Sequence, residues 1–138
     1  MEDERKIKDI WGCSYIESET DLYPLQKWYN QLIDKKVSEI EVSDVLRMIR
    51  QNEFIDIAIP KAVKFLMENP FAGEMYEGEL LEKMSNLERS VLKQYIQVLR
   101  EVLEVALINN KTYEWLDEEE RKDFEKVIED FLNKIVVN

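Results

Sequence analysis

A chain of 138 residues with 19 Lys and Arg against 30 Asp and Glu carries a net charge of −11, so nucleic acid and anionic membranes repel it and basic partners suit it. Histidine is absent and cysteine occurs once, at Cys13; serine–histidine and cysteine–histidine catalysis in their usual forms, an intramolecular disulfide and a cysteine-rich zinc site are excluded. A hydrophobic fraction of 45% with 36% charged residues argues for a folded globule, and 3 Gly and 3 Pro are too few for the many turns of an all-β fold.

Residues 1–9 read as a flexible polar tail, and a single helical domain is expected over 10–138. The segment "IWGCSYIESETD" reads as a lead-in whose Trp11 docks on the core. Pro24 suits a first helical turn, and Leu25, Trp28 and Leu32 follow at helical spacing, which predicts a helix over 22–34. A connection follows, with Val37 and Ile40 tucked beneath it. Ser43 reads as the N-cap of the next helix, whose core face is Val45, Leu46, Met48 and Ile49. After an interruption at Asn52 or Glu53, an apolar run continues through Pro60, which kinks a helix or starts a new one. Asn69-Pro70 stops it, because a residue before proline avoids the α region.

A loop over 70–77 and a short helix over 78–85, with Leu80, Leu81 and Met84 inward, come next. Residues 88–109 form the longest periodic run, with a stripe wide enough to pack on more than one side. Asp117 and Glu120 have the spacing of a capping box, ahead of Phe124, Val127, Ile128, Phe131, Leu132 and Ile135. The fold class expected is all-α, a compact bundle of about six helices. No run of residues is long and apolar enough to span a membrane, and the opening residues lack an apolar signal region, so a cytoplasmic location is expected.

Candidate chemistry is sparse. The three glycines, 12, 73 and 78, form no phosphate loop. No EF-hand pattern appears, and close carboxylate pairs arise by chance among so many acids. No cofactor and no metal are expected. Cys13 has no histidine and no obvious cation beside it to make a reactive thiolate. Two stretches are acidic without any base: Glu68, Glu74, Glu77, Glu79 and Glu82, and then Glu114, Asp117, Glu118, Glu119 and Glu120. Acids in a first helical turn complement the helix dipole, which is the ordinary account of the second stretch. For the first, a solvated loop with Tyr76 folded on the core competes with a docking surface for a basic protein. Trp115, between helices, is either a core residue or an interface anchor.

"LRMIRQN" (46–52) followed by "AIPKAVKFLMENPFAGEMYEGELL" (58–81) resembles a bacterial group, the immunity proteins of contact-dependent growth inhibition (CDI) systems. The matching positions are Met48, Ile49 and Gln51; Ile59 and Pro60; Glu68, Asn69 and Pro70; Tyr76; and Gly78, Glu79, Leu80 and Leu81, with an upstream Trp11-Gly12. The likeness spans roughly residues 10–81; from Ser85 onward no familiar pattern appears.

The resemblance implies a non-catalytic protein in the cytoplasm that binds a cognate toxin domain, often a nuclease, and blocks it; such proteins diverge to match their own toxins. A nuclease holds polyphosphate in a basic site, which an acidic protein can cover. The partner-binding residues expected are Glu74, Tyr76, Glu77, Glu79, Glu82, Trp115, Glu118 and Glu119, with charge reversal at Glu74, Glu77 and Glu79 weakening binding more than at Glu118 and Glu119. An acidic helical adaptor unrelated to toxins is the other reading, and solubility alone would also account for the charge.

Overall fold

The computed structural model describes residues 4–17 and 22–136. The expected tail residues 1–3 and the lead-in residues 18–21 lie outside the described residues. Eight α-helices occur among the described residues: α1 (Ile7–Trp11), α2 (Pro24–Ile33), α3 (Val42–Gln51), α4 (Ile55–Glu68), α5 (Glu79–Ser85), α6 (Arg89–Leu92), α7 (Ile96–Asn110) and α8 (Glu118–Val136). No strand is formed among these residues; the all-α class is as expected, and α2, α3, α4, α5, α7 and α8 are its six longer helices.

The apolar spacing of each helix turns one face inward onto a shared core that runs from Ile7 to Ile135. Helices α7 and α8 pack along each other, α3 against α4, and α5 is wedged among α3, α4 and α8. Leu80, Leu81 and Met84 of α5 are fully buried there. Helix α8 buries Phe124, Ile128, Phe131 and Ile135. Its cap is close to the expected one. The Glu120 N–H donates to Asp117 Oδ1 at 2.9 Å, while the Glu120 carboxylate accepts from the N–H of Leu116 at 3.0 Å. The reciprocal bond thus reaches one residue further back than a standard capping box.

Several expectations are corrected. Residues 4–9 are not a tail: Ile7 is fully buried, its N–H donates to the Lys35 carbonyl at 3.1 Å, and the Val37 N–H donates to the Arg5 carbonyl at 3.0 Å. An isoleucine amid charges is enough to anchor the segment. Trp11 docks only partly. It is half-exposed, with its ring 5.7 Å from that of Phe54. Ser43 lies inside α3, whose cap is Glu41; the Glu41 N–H donates to Asp44 Oδ2 at 3.0 Å, and that same oxygen takes Lys35 Nζ at 2.6 Å.

Of the two alternatives at Pro60, a new helix is not started there, since α4 runs through it. Pro60 lacks the N–H that would bond the Asp56 carbonyl, and both residues are exposed at the surface. The run over 88–109 is divided by a 3-10 turn at Lys93–Tyr95. Leu92 and Leu99 are buried on either side of it, so the tighter turn changes the hydrogen bonding without moving the apolar stripe off the core.

Candidate functional site

The two acidic stretches, far apart in sequence, form opposite walls of one open cleft of about 540 Å³. One wall consists of Met75, Tyr76, Glu77 and Glu82. The other consists of Glu114, Trp115 and Leu116 with Glu120, Asp123, Phe124 and Val127 of α8. A shallower groove continues past Glu77 and Glu114 to Glu68 and Tyr113. No Lys or Arg among the described residues lines either.

An aromatic cluster holds the walls together. The rings of Phe71 and Tyr113 stack 3.8 Å apart and nearly parallel, at 2°. Trp115 meets Tyr113 edge-on at 4.8 Å, and Trp115 and Phe124 lie 5.3 Å apart. Such pairs add stability beyond the area they bury. The Trp115 wall is pinned from behind by Asn110, which is only 2% exposed. Its Oδ1 accepts from Trp115 Nε1 at 2.7 Å, its Nδ2 donates to the Arg121 carbonyl at 3.1 Å, and its own carbonyl accepts from the Arg121 guanidinium. Trp115 is therefore half-buried with its indole N–H already bonded; it offers the cleft a ring surface and no donor.

The first wall is equally constrained. The Gly78 N–H donates to the Phe71 carbonyl at 2.8 Å, and the Leu80 N–H to the Ala72 carbonyl at 3.0 Å. One oxygen of Glu79, Oε1, accepts the N–H groups of both Glu74 and Met75, each at 2.9 Å. At Gly73 a β-carbon would collide with the Tyr76 carbonyl. The loop that reads in sequence as an acidic stretch is thus a closed structure built around a buried carboxylate.

Of the residues expected to bind a partner, Tyr76, Glu77, Glu82 and Trp115 are brought together in the cleft. Glu79 is not on the surface; at 5% exposure its carboxylate is committed to the loop. Glu74 is exposed beside the cleft without lining it. Glu118 pairs with Arg121 at 3.0 Å and, with Glu119, points elsewhere from α8. The cleft adds Glu114, Glu120 and Asp123, together with two large apolar residues in water, Leu116 at 92% exposure and Met75 at 78%. Glu120, Asp123 and Val127 follow one another at three- and four-residue spacing, so that periodic signal was legible. That their face opposes Met75 was not.

Two tyrosines report on the charge of this region. Burial, then the charge and hydrogen bond of Glu82, push the Tyr76 hydroxyl up to about 12. Burial, then a hydrogen bond to the Glu77 carboxylate, does the same for Tyr113. Both start from an ordinary value of 10.0. The unfolded chain therefore ionises these tyrosines before the folded one does, and their contribution is complete below pH 10 and is lost as pH rises through about 12. In an alkaline titration followed by tyrosinate absorbance, three tyrosines should ionise late, the third being Tyr29, whose burial also raises it, and Tyr76→Phe and Tyr113→Phe should each remove one. If neither variant alters the late phase, these two hydroxyls are not the late-ionising ones.

Among the described residues no helix is long and apolar enough to cross a membrane. No group of three or more acidic or cysteine side chains lies close enough to hold a metal ion among those residues. Residues 9–102 match the sequence model of a family described as CDI immunity proteins. No curated protein matches the chain. The matched segment contains the Met75–Glu82 wall and ends before the Glu114–Val127 wall.

Proposed function

The chain belongs to the CDI immunity proteins, and from that premise we propose that it neutralises one cognate toxin domain in the cytoplasm by binding to it without chemistry. The cleft face is the contact surface and the toxin is basic, as a nuclease is. The observation that supports this reading is the convergence of both acidic stretches on one face. A net charge of −11 spread evenly would serve solubility. Five carboxylates gathered around exposed apolar residues with no intervening cation suit a basic protein surface.

Co-expression with the toxin encoded beside this chain tests the proposal. Growth should be restored, and the two proteins should elute from gel filtration as one complex. Affinity should fall by about tenfold or more between roughly 0.1 M and 1 M salt, as the Debye length shrinks from about 10 Å to about 3 Å. Absence of rescue together with absence of a complex would sink the toxin reading. Rescue with a salt-independent affinity would leave toxin binding standing and remove its electrostatic basis.

A further inference from the structure

We propose that the cleft is a socket for an arginine that the toxin presents beside an aliphatic side chain. The inference rests on the toxin-binding reading above and names the chemistry that fills its site.

Four features point to this occupant. Leu116 and Met75, one from each wall, leave large apolar surfaces in water at the mouth of the cleft. Such residues gain by being covered, and aliphatic side chains on a partner cover them. Between them the lining is aromatic, with Tyr76, Trp115 and Phe124. A guanidinium stacks on such rings and is more weakly hydrated than an ammonium, so it gives up water more readily on entering. Glu114 and Asp123 make no ion pair among the described residues, and Glu77 and Glu82 keep acceptor capacity beyond their tyrosines. Finally, the carboxylates are not gathered tightly enough for a metal ion. Acceptors spread around a ring-lined space match the broad fork of arginine better than a point charge. A second copy of this chain would bring a further charge of −11 to the same face.

The contrast with another large groove among the described residues favours this assignment. That groove, at Trp11, Phe54 and Tyr95, carries only Glu53 and Asp56 as acids and lies wholly within the segment matched by the family. The cleft joins a wall from the matched segment to a wall outside it, which is an arrangement suited to meeting a partner particular to this chain.

The test uses the full chain and the toxin domain identified by the growth assay, with affinity measured by calorimetry and folding checked by thermal melts. The double variant Glu114→Lys/Asp123→Lys should weaken binding by roughly hundredfold or more. Glu125→Lys/Glu129→Lys, which makes the same charge change on exposed α8 positions outside the cleft, should weaken it by less than about tenfold. Leu116→Asp should also weaken binding, with an unchanged melt. Among the toxin's surface arginines, one should couple to Glu114 in a double-mutant cycle by about tenfold or more, and its Arg→Lys form should not restore the coupling.

Equal losses from the two double variants would overturn the socket and leave only diffuse electrostatics. Coupling to a lysine and to no arginine would overturn the choice of occupant. In both cases wild-type binding persists, so the toxin reading survives. If wild-type protein binds no toxin, that reading fails first and takes the socket with it.

Discussion

Glu79→Lys lowers stability by roughly 3–5 kcal/mol, far more than a surface charge reversal would. The sequence presents Glu79 as one acid among five in an acidic stretch. In the fold its Oε1 sits 2.9 Å from the N–H groups of both Glu74 and Met75, with the residue 5% exposed. Hydrogen bonds to a charged group contribute about 1.5–3 kcal/mol each, and leaving the partners unsatisfied forfeits them. A lysine would remove the acceptor and place an ammonium against two donors. Glu79→Gln keeps an acceptor and should cost only about 1–2 kcal/mol, which makes the pair a ladder. Urea unfolding at neutral pH reads both. A Glu79→Lys midpoint indistinguishable from wild type, alongside a loss of toxin affinity, would mean that Glu79 is a surface contact after all. The expected loss of affinity is indirect, through the loop.

Gly78→Ala should lower stability by roughly 2–5 kcal/mol, for two separable reasons. Gly78 has a φ of 84°, and a non-glycine residue in the left-handed region costs roughly 1–2 kcal/mol. Its β-carbon would also lie 2.5 Å from Cε1 of Phe124, and overpacking a filled site typically costs about 1–3 kcal/mol. Phe124 belongs to the aromatic cluster that closes the cleft, so the clash would be transmitted to both walls. Repeating the substitution in a Phe124→Leu background removes the flat ring. There Gly78→Ala should cost only the backbone part, about 1–2 kcal/mol, and the two changes should be clearly non-additive. Strict additivity would show that the ring is not in the way. Gly78 and Glu79 are adjacent and support the same loop, so their own double variant should not be read as a sum.

Periodic elements were the most legible part of the molecule. The α5 core residues Leu80, Leu81 and Met84 and, in α8, Phe124, Ile128, Phe131 and Ile135 are buried as their spacing predicts, because side-chain spacing on a helix determines which face can be apolar; Val127 and Leu132 of the expected stripe are only partly buried. Boundaries were less legible. Ser43 has the right chemistry for a cap, but Asp44 outcompetes it by bonding the Glu41 N–H and Lys35 together. Ile7 was lost among its charged neighbours, since one apolar residue in a polar run has no period to reveal it. The candidate site was half visible. Tyr76, Glu77, Glu82 and Trp115 could be singled out from composition and position; Glu114 read only as one acid of a stretch and Asp123 only as part of a helix face, while Leu116 had no local signal that set it apart from a solvated turn.

The sequence by itself determined that the chain is helical, acidic and without histidine chemistry. It also carried an ordered set of residues that marks the CDI immunity proteins, because composition, spacing and local order survive without any knowledge of contacts. Only the tertiary structure decided which acids line the cleft. Glu79 and Glu114 are the same residue type in similar company, yet the first is enclosed by a loop that needs its carboxylate and the second is left at the edge of a cleft. That difference comes from the stacking of Phe71 on Tyr113 and the anchoring of Trp115 by Asn110. The Phe71–Tyr113 stack carries two distant segments onto one face, and helical periodicity holds no information about it.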